Sequence, residues 1–409
     1  MLWLCGASTF PDTSSLLCVE SRMSTMACDP TVPMSSGEIR TIDPERGLDV
    51  EQKHLRVAEF LRADGFDALL LQHPDNFSWF TTGGDCTRGS MCDATAALFI
   101  TPDARVVLTN NVDSGEMFDW QLSGLGFQLK ERPWQEPRQV LIEDLCRGRS
   151  VCTDVPMTGA TCLAEALTEL RMPVSAFECR GMRELGRRVA HAVEATARNF
   201  LLGQSEAEVA GQLAHRLLKH EIQPTRLQVW ADSQGHRYRH WAFSNERVER
   251  YCVITAIGRR NGLHVAASRT VCFDEPSEQI REAHQRCQMI QATGMHFSRT
   301  GWKLRDTWSR VQRIYEKFGH PDEWRQADQA ELIGYRMCEA PLLPESELEL
   351  TPRMALFWHP SVGPAMVGDT ILIAGRGVEN ITPAQDWPTT DVEVKGVRIA
   401  SPDILRRSA

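Results

Sequence analysis

NGLHVAASRTV (residues 261–271) reads as a turn running into a strand, and its reading decides the fold together with three later runs. These are IGYRMCEAP (333–341), LTPRMALFWHP (350–360) and GDTILIAGRGVENIT (368–382). Gly262 turns the chain from an apolar run at 251–257 back along 264–273, as two adjacent antiparallel strands require. Just upstream, a strand at 227–231 leads into the polar loop DSQGHRYRH (232–240). Ser205 is placed to cap a helix reaching His220, and a helical pattern over 183–202 precedes it. Downstream, helices are predicted over 277–298 and 304–318, and the remainder is mostly strand and loop.

Further towards the N-terminus, VEQKHLRVAEFLRADGFDALLLQHPDNFSWFTTG (50–83) predicts an amphipathic helix stopped at Gly65, a buried strand, and a turn at Pro74-Asp75-Asn76. Strands at 96–101 and 106–109 flank a hairpin turn at 102–104. Strand and helix then alternate to about residue 180. The expected organisation is a tail or misassigned start over 1–44, with Met23, Met26 and Met34 as alternative starts, then domains over 45–180 and 181–409.

A chain of 409 residues, 42% hydrophobic, is long enough for two domains with substantial cores. Its formal net charge of −9 argues against nucleic acid, because phosphate binding needs a concentrated basic face. The richest basic run, RELGRR (183–188), reads as a solvated helix face. Thirteen cysteines, odd in number and without a CxxC pair, point to a reduced cytoplasmic compartment rather than a disulfide scaffold. The N-terminus lacks the basic and continuously apolar regions of a secretory signal, and no apolar run reaches the roughly 20 residues that span a bilayer. A soluble protein with a small-molecule substrate and no membrane partner is expected.

The four runs quoted first resemble the creatinase, aminopeptidase P and methionine aminopeptidase family. That resemblance, covering residues 48 to 390, implies an α+β chain: a C-terminal pita-bread fold with a smaller N-terminal α/β creatinase-like domain, forming a homodimer. The family normally holds two divalent metals with two Asp, one His and two Glu. Read onto this chain, those five positions become Thr255, Ala266, Glu331, His359 and Gly368. A hydroxyl and a methyl group cannot offset the charge of two hard cations. The resemblance therefore implies metal-independent chemistry without a cofactor, as in creatinase, where a His after a Trp-led strand carries the proton. Here Trp230 leads to His236 and His240.

The candidate catalytic residues are accordingly His240, Glu331 and His359, with Trp230, His236, Tyr335, Arg336 and Glu339 as candidate substrate-binding residues. An imidazole titrates near neutrality and so takes and returns a proton, and the planar fork of Arg336 suits a substrate carboxylate. Cys338 stands where the family often has a second His, and Asp369 sits in a framework motif. Each has a plain alternative: stacking or surface exposure for His240, a solvated acid for Glu331, a small buried side chain for Cys338. Three functions compete: a creatinase-type hydrolase of a C–N bond in an amino-acid-like or guanidino-like substrate, with elimination or cyclisation using the same groups; a non-catalytic scaffold; and a hydrolase with a single metal rebuilt on His240, Glu331 and His359.

Overall fold

Local sequence sets the first elements. Asp43 accepts a hydrogen bond from the Glu45 amide (2.9 Å), Pro44 stands at the first helical position, and Gly65 at φ 72° ends helix α1 (Pro44–Asp64). The computed structural model describes residues 43–89, 93–232, 238–375 and 377–408, so the expected tail lies outside it except for Asp43 and Pro44. The turn expected at Pro74-Asp75-Asn76 is instead the start of helix α2 (Pro74–Phe80). Pro74 is preorganised for the first helical position. The residues that lead into it are held from far away, since Asp154 accepts the amides of Gln72 and His73 at 2.8 and 2.9 Å.

Residues 43–409 form one compact unit built on two main sheets among the described residues. The first is β1 (Ala68–Leu71), β2 (Ala97–Ile100), β3 (Arg105–Asn110), β4 (Gln128–Arg132), β5 (Val151–Thr153) and β6 (Thr161–Cys162), in the order β4-β3-β2-β1-β5-β6. Helices α3 (Arg138–Cys146) and α4 (Ala164–Arg171) accompany it. The boundary expected at residue 180 falls inside helix α5 (Ala176–Asn199), whose start is set by a reciprocal Ser175–Glu178 capping box. Helix α6 (Glu206–Leu218) begins at the expected Ser205 cap.

The second sheet joins β7 (Gln223–Ala231), β8 (Tyr251–Arg260), β9 (Leu263–Phe273), β10 (Ala330–Ile333), β11 (Ala340–Pro341) and β12 (Ala355–Trp358). After the β13 (Ser361–Val362) and β14 (Ala365–Met366) hairpin come β15 (Gly368–Ala374) and β16 (Gly377–Asn380), then the pair β17 (Thr389–Val394) and β18 (Val397–Pro402), and β19 (Leu405–Arg407). The order is β11-β10-β12-β15-β9-β8-β7, with β16 on β15 and β19 on β9. The mixture of helix and sheet is the expected α+β arrangement.

Helices α7 (Glu278–Phe297) and α8 (Leu304–Lys317) follow β9. Alternation gives the second sheet two faces. The back takes α5 through the Arg269–Glu194 ion pair (3.0 Å), and takes α7 through Gly294, where an added Cβ would fall 2.5 Å from the Trp358 ring.

Candidate functional site

The front face carries the positions that the sequence singled out. Across the β8/β9 hairpin Thr255 stands opposite Ser268 and Ile257 opposite Ala266; Gly368 also faces Ser268, and Phe357 joins Thr370 to Glu331. Directly opposed residues share a face, so Thr255, Ala266, Ser268, Gly368, Phe357 and Glu331 all point the same way.

The middle of this face is closed and neutral. Thr255 donates to Ser268 Oγ (2.9 Å), and Thr370 Oγ1 both donates to the Ala266 carbonyl (2.7 Å) and accepts its amide (3.0 Å). Phe357, buried, lies over Gly368: an added Cβ there would fall 2.8 Å from Ser268 Cβ and 3.0 Å from the Phe357 ring. A paired-cation centre does not fit Thr255, Ala266, Ser268 and Gly368: among the described residues this face offers the single carboxylate of Glu331 at its edge, and the Phe357 ring and Ser268 take up the space beside Gly368.

Polar chemistry gathers at the edge of the face. Stacking on Phe357, with ring centroids 4.5 Å apart, orients the His359 imidazole. His359 Nε2 is buried and makes no hydrogen bond. It lies 3.9 Å from a Glu331 oxygen and 3.9 Å from Asp328 Oδ2. The other Asp328 oxygen meets His240 Nε2 at 2.7 Å, and Arg226 donates to His240 Nδ1 (2.9 Å). Burial raises the Asp328 carboxyl, but the His240 hydrogen bond and the charges of His359 and His240 outweigh it and hold it below the usual carboxylate range.

The loop bearing His240 is pinned on both sides. Glu206, fully buried at the start of α6, accepts from the Ala231 amide (2.8 Å), Trp241 Nε1 (2.9 Å) and both the amide and hydroxyl of Ser244 (2.7 and 2.8 Å). Arg239 reaches Glu323 (2.7 Å), which also accepts the Gly363 amide (2.8 Å).

The structure thus brings His240, Glu331 and His359 together, and adds Asp328, which the sequence reading missed. The remaining candidates are placed elsewhere. Trp230 is buried with its Nε1 on the Trp241 carbonyl (3.1 Å), and His236 lies outside the described residues. Tyr335 is buried with its hydroxyl on Glu178. Arg336 pairs with Asp75 of α2 (2.6 Å), and Glu339 is held by the buried Arg171. These three side chains were expected to meet substrate; their described partners are Glu178 of α5, Asp75 of α2 and Arg171 of α4 instead. Cys338, on an exposed turn, has its thiol pushed up to about 12 by partial burial and by the charges of Glu331, Asp328 and Glu339, which suits no nucleophile. Asp369 points to the back face, bonded by Arg269 and Thr382 (2.9 and 3.0 Å).

A two-layered helix and sheet chain with this second sheet is a pita-bread protein. The model of metallopeptidase family M24 matches residues 180–401, and the chain belongs to that family. Among solved structures, the Xaa-Pro dipeptidase from Bacillus anthracis is similar at a TM-score of 0.71 and 16% identity, covering 88% of this chain and 100% of that one. The prolidase from Pyrococcus horikoshii OT3 gives 0.70 and 16%, covering 82% and 99%. The N-terminal domain of the FACT complex subunit SPT16 from chickpea, Cicer arietinum, gives 0.65 and 12%, covering 85% and 98%. Among curated proteins none matches by sequence.

Proposed function

We propose that this M24-family chain is a hydrolase that cleaves a C–N bond in a small amino-acid-like or guanidino-like substrate, using imidazole acid–base chemistry and no paired-metal centre. The observation that carries the reading is His240 held on Asp328 at 2.7 Å beside the buried His359 and Glu331, at the rim of an otherwise neutral face. In this reading water replaces Arg226 at His240 Nδ1, which takes a proton from it as the oxygen bonds to carbon and returns it to the departing nitrogen. Asp328 fixes which ring nitrogen faces the substrate.

Dipeptides, N-acyl amino acids, guanidino acids and cyclic amidines screened against the full chain test this. We expect turnover of at least one class, reduced by about 10²-fold or more in His240→Ala. Full activity in a His240→Ala/His359→Ala double variant would overturn the assignment. Similarity to the SPT16 N-terminal domain favours one other reading, a scaffold without catalysis; no turnover and no thermal stabilisation by any compound would select it.

A further inference from the structure

Two buried groups at the rim are left without the partners their chemistry demands. His359 has a side chain 9% exposed, and its Nε2 makes no hydrogen bond. Glu331, with a side chain 8% exposed, has its nearest oppositely charged partner among the described residues in His359 at 3.9 Å, and a carboxylate of Asp328 lies within 4.8 Å. The separation from His359 is too long for a hydrogen bond. Burying a carboxylate in this state is costly unless a positive charge stands close by. Arginines described above pair elsewhere: Arg239 with Glu323, Arg336 with Asp75 and Arg226 with the far nitrogen of His240.

Asp328 completes the set. One donor atom each from Asp328, Glu331 and His359 lies within 4.8 Å of the others. Donors around one ion at about 2.0–2.2 Å stand roughly 3.4 Å apart in a tetrahedron, so a closure of less than about 1.5 Å between donors brings all three onto a common centre. Asp328 is prepared for this role. Its Oδ1 is held by His240 at 2.7 Å, which leaves Oδ2 turned towards His359 at 3.9 Å, and a carboxylate ligand oriented by a hydrogen bond is the usual outer support of a metal site. Stacking on Phe357 fixes the imidazole in the same way.

We infer that Asp328, Glu331 and His359 bind a single divalent transition cation, displaced to the rim from the neutral centre of the face. One imidazole and two carboxylates suit zinc, manganese or ferrous ions. Three protein donors leave a coordination position open for water or substrate. Binding stands on this geometry alone; a part in turnover rests on the hydrolase reading above, with His240 kept free of the ion as proton carrier.

Manganese is the probe, because thirteen cysteines would give zinc or cobalt other places to bind while manganese prefers oxygen and nitrogen donors. The full chain, stripped with chelator, is titrated with Mn²⁺ and free ion is read by electron paramagnetic resonance. The expected result is one saturable site per chain, weakened at least tenfold in His359→Ala and in Glu331→Gln, with circular dichroism of both variants unchanged. If a variant fails to fold, zinc displacing Mn²⁺ from the wild-type chain one for one supports the site. No saturable binding at millimolar Mn²⁺, or binding indifferent to His359→Ala and Glu331→Gln, overturns the inference. Hydrolysis that survives chelation by a chain that binds no Mn²⁺ sinks the cation and keeps the hydrolase; one bound Mn²⁺ without turnover of any substrate class keeps the cation and sinks the hydrolase.

Discussion

Phe357 and Gly368 fix what the centre of the front face can hold. The added Cβ at Gly368 would stand 3.0 Å from the Phe357 ring and 2.8 Å from Ser268 Cβ, so a carboxylate cannot simply be put back. Gly368→Glu is expected to destabilise by about 1–3 kcal/mol or more through overpacking, read as a lowered urea midpoint. Combining Gly368→Ala with Phe357→Leu should cost less than the sum of the two, because the smaller side chain yields the space; strict additivity would show that the ring is not what closes the position. The residue identities here were legible from the sequence. The closure was not, since it depends on where an aromatic side chain from another strand comes to rest. Asp328 escaped for a related reason: it precedes β10 in an irregular segment, so the two-residue alternation that places Glu331 does not extend to it.

At the level of elements, two tethers aim the site. Glu206 receives four hydrogen bonds from the end of β7 and the loop after it. Glu206→Gln keeps the size but replaces two acceptor oxygens with one acceptor and one donor. It is expected to cost about 2–3 kcal/mol and to speed amide hydrogen exchange over residues 238–244; unchanged exchange there would deny Glu206 its role in holding His240. The second tether joins α2 to the turn after β10. Burial raises the Asp75 carboxyl, but hydrogen bonds from His73 and Arg336 outweigh it and set it at about 2. A carboxyl lowered on folding contributes stability above its unfolded value near 3.8, and that contribution is lost as pH falls towards 2. Wild type should therefore lose about 1 kcal/mol more than Asp75→Asn between pH 5 and 2, after allowance for solvent screening of this partly exposed pair. Parallel acid titrations of the two would refute the tether. The α2 helix itself was misread as a turn because it has no side-chain cap of its own and the residue that holds its approach, Asp154, lies 81 residues from His73.

Across the whole molecule, buried polar networks join the two sheets into one unit. Lys53 of α1 meets Asp49 (2.9 Å), the Trp79 carbonyl (2.7 Å), Thr82 Oγ1 (2.8 Å) and Glu178 of α5, and Glu178 in turn receives the Tyr335 hydroxyl. Lys53→Met leaves two buried carboxylates without their cation, a loss of about 3–5 kcal/mol. Calorimetry should show the single transition of the wild type moving down or splitting in two; an unmoved transition would mean that this network does not couple the sheets. A second network of Arg269, Glu194 and Asp369 binds α5 to the back of β9 and β15. No helix among the described residues is long and apolar enough to cross a membrane.

Periodicity, capping residues and the turn at Gly262 were enough to place α1, α6, α7, α8 and the β8/β9 hairpin, because those signals act within a few residues of the chain. Thr255, Ala266, Glu331, His359 and Gly368 were named by the family resemblance, which carries over motif positions along the chain. Only the tertiary structure decided that Tyr335, Arg336 and Glu339 turn to Glu178, Asp75 and Arg171, and that Asp328 joins His240 to His359. Such pairings are chosen by whichever opposite charge or hydrogen-bond partner lies nearest in space, and strand order and helix packing set that distance.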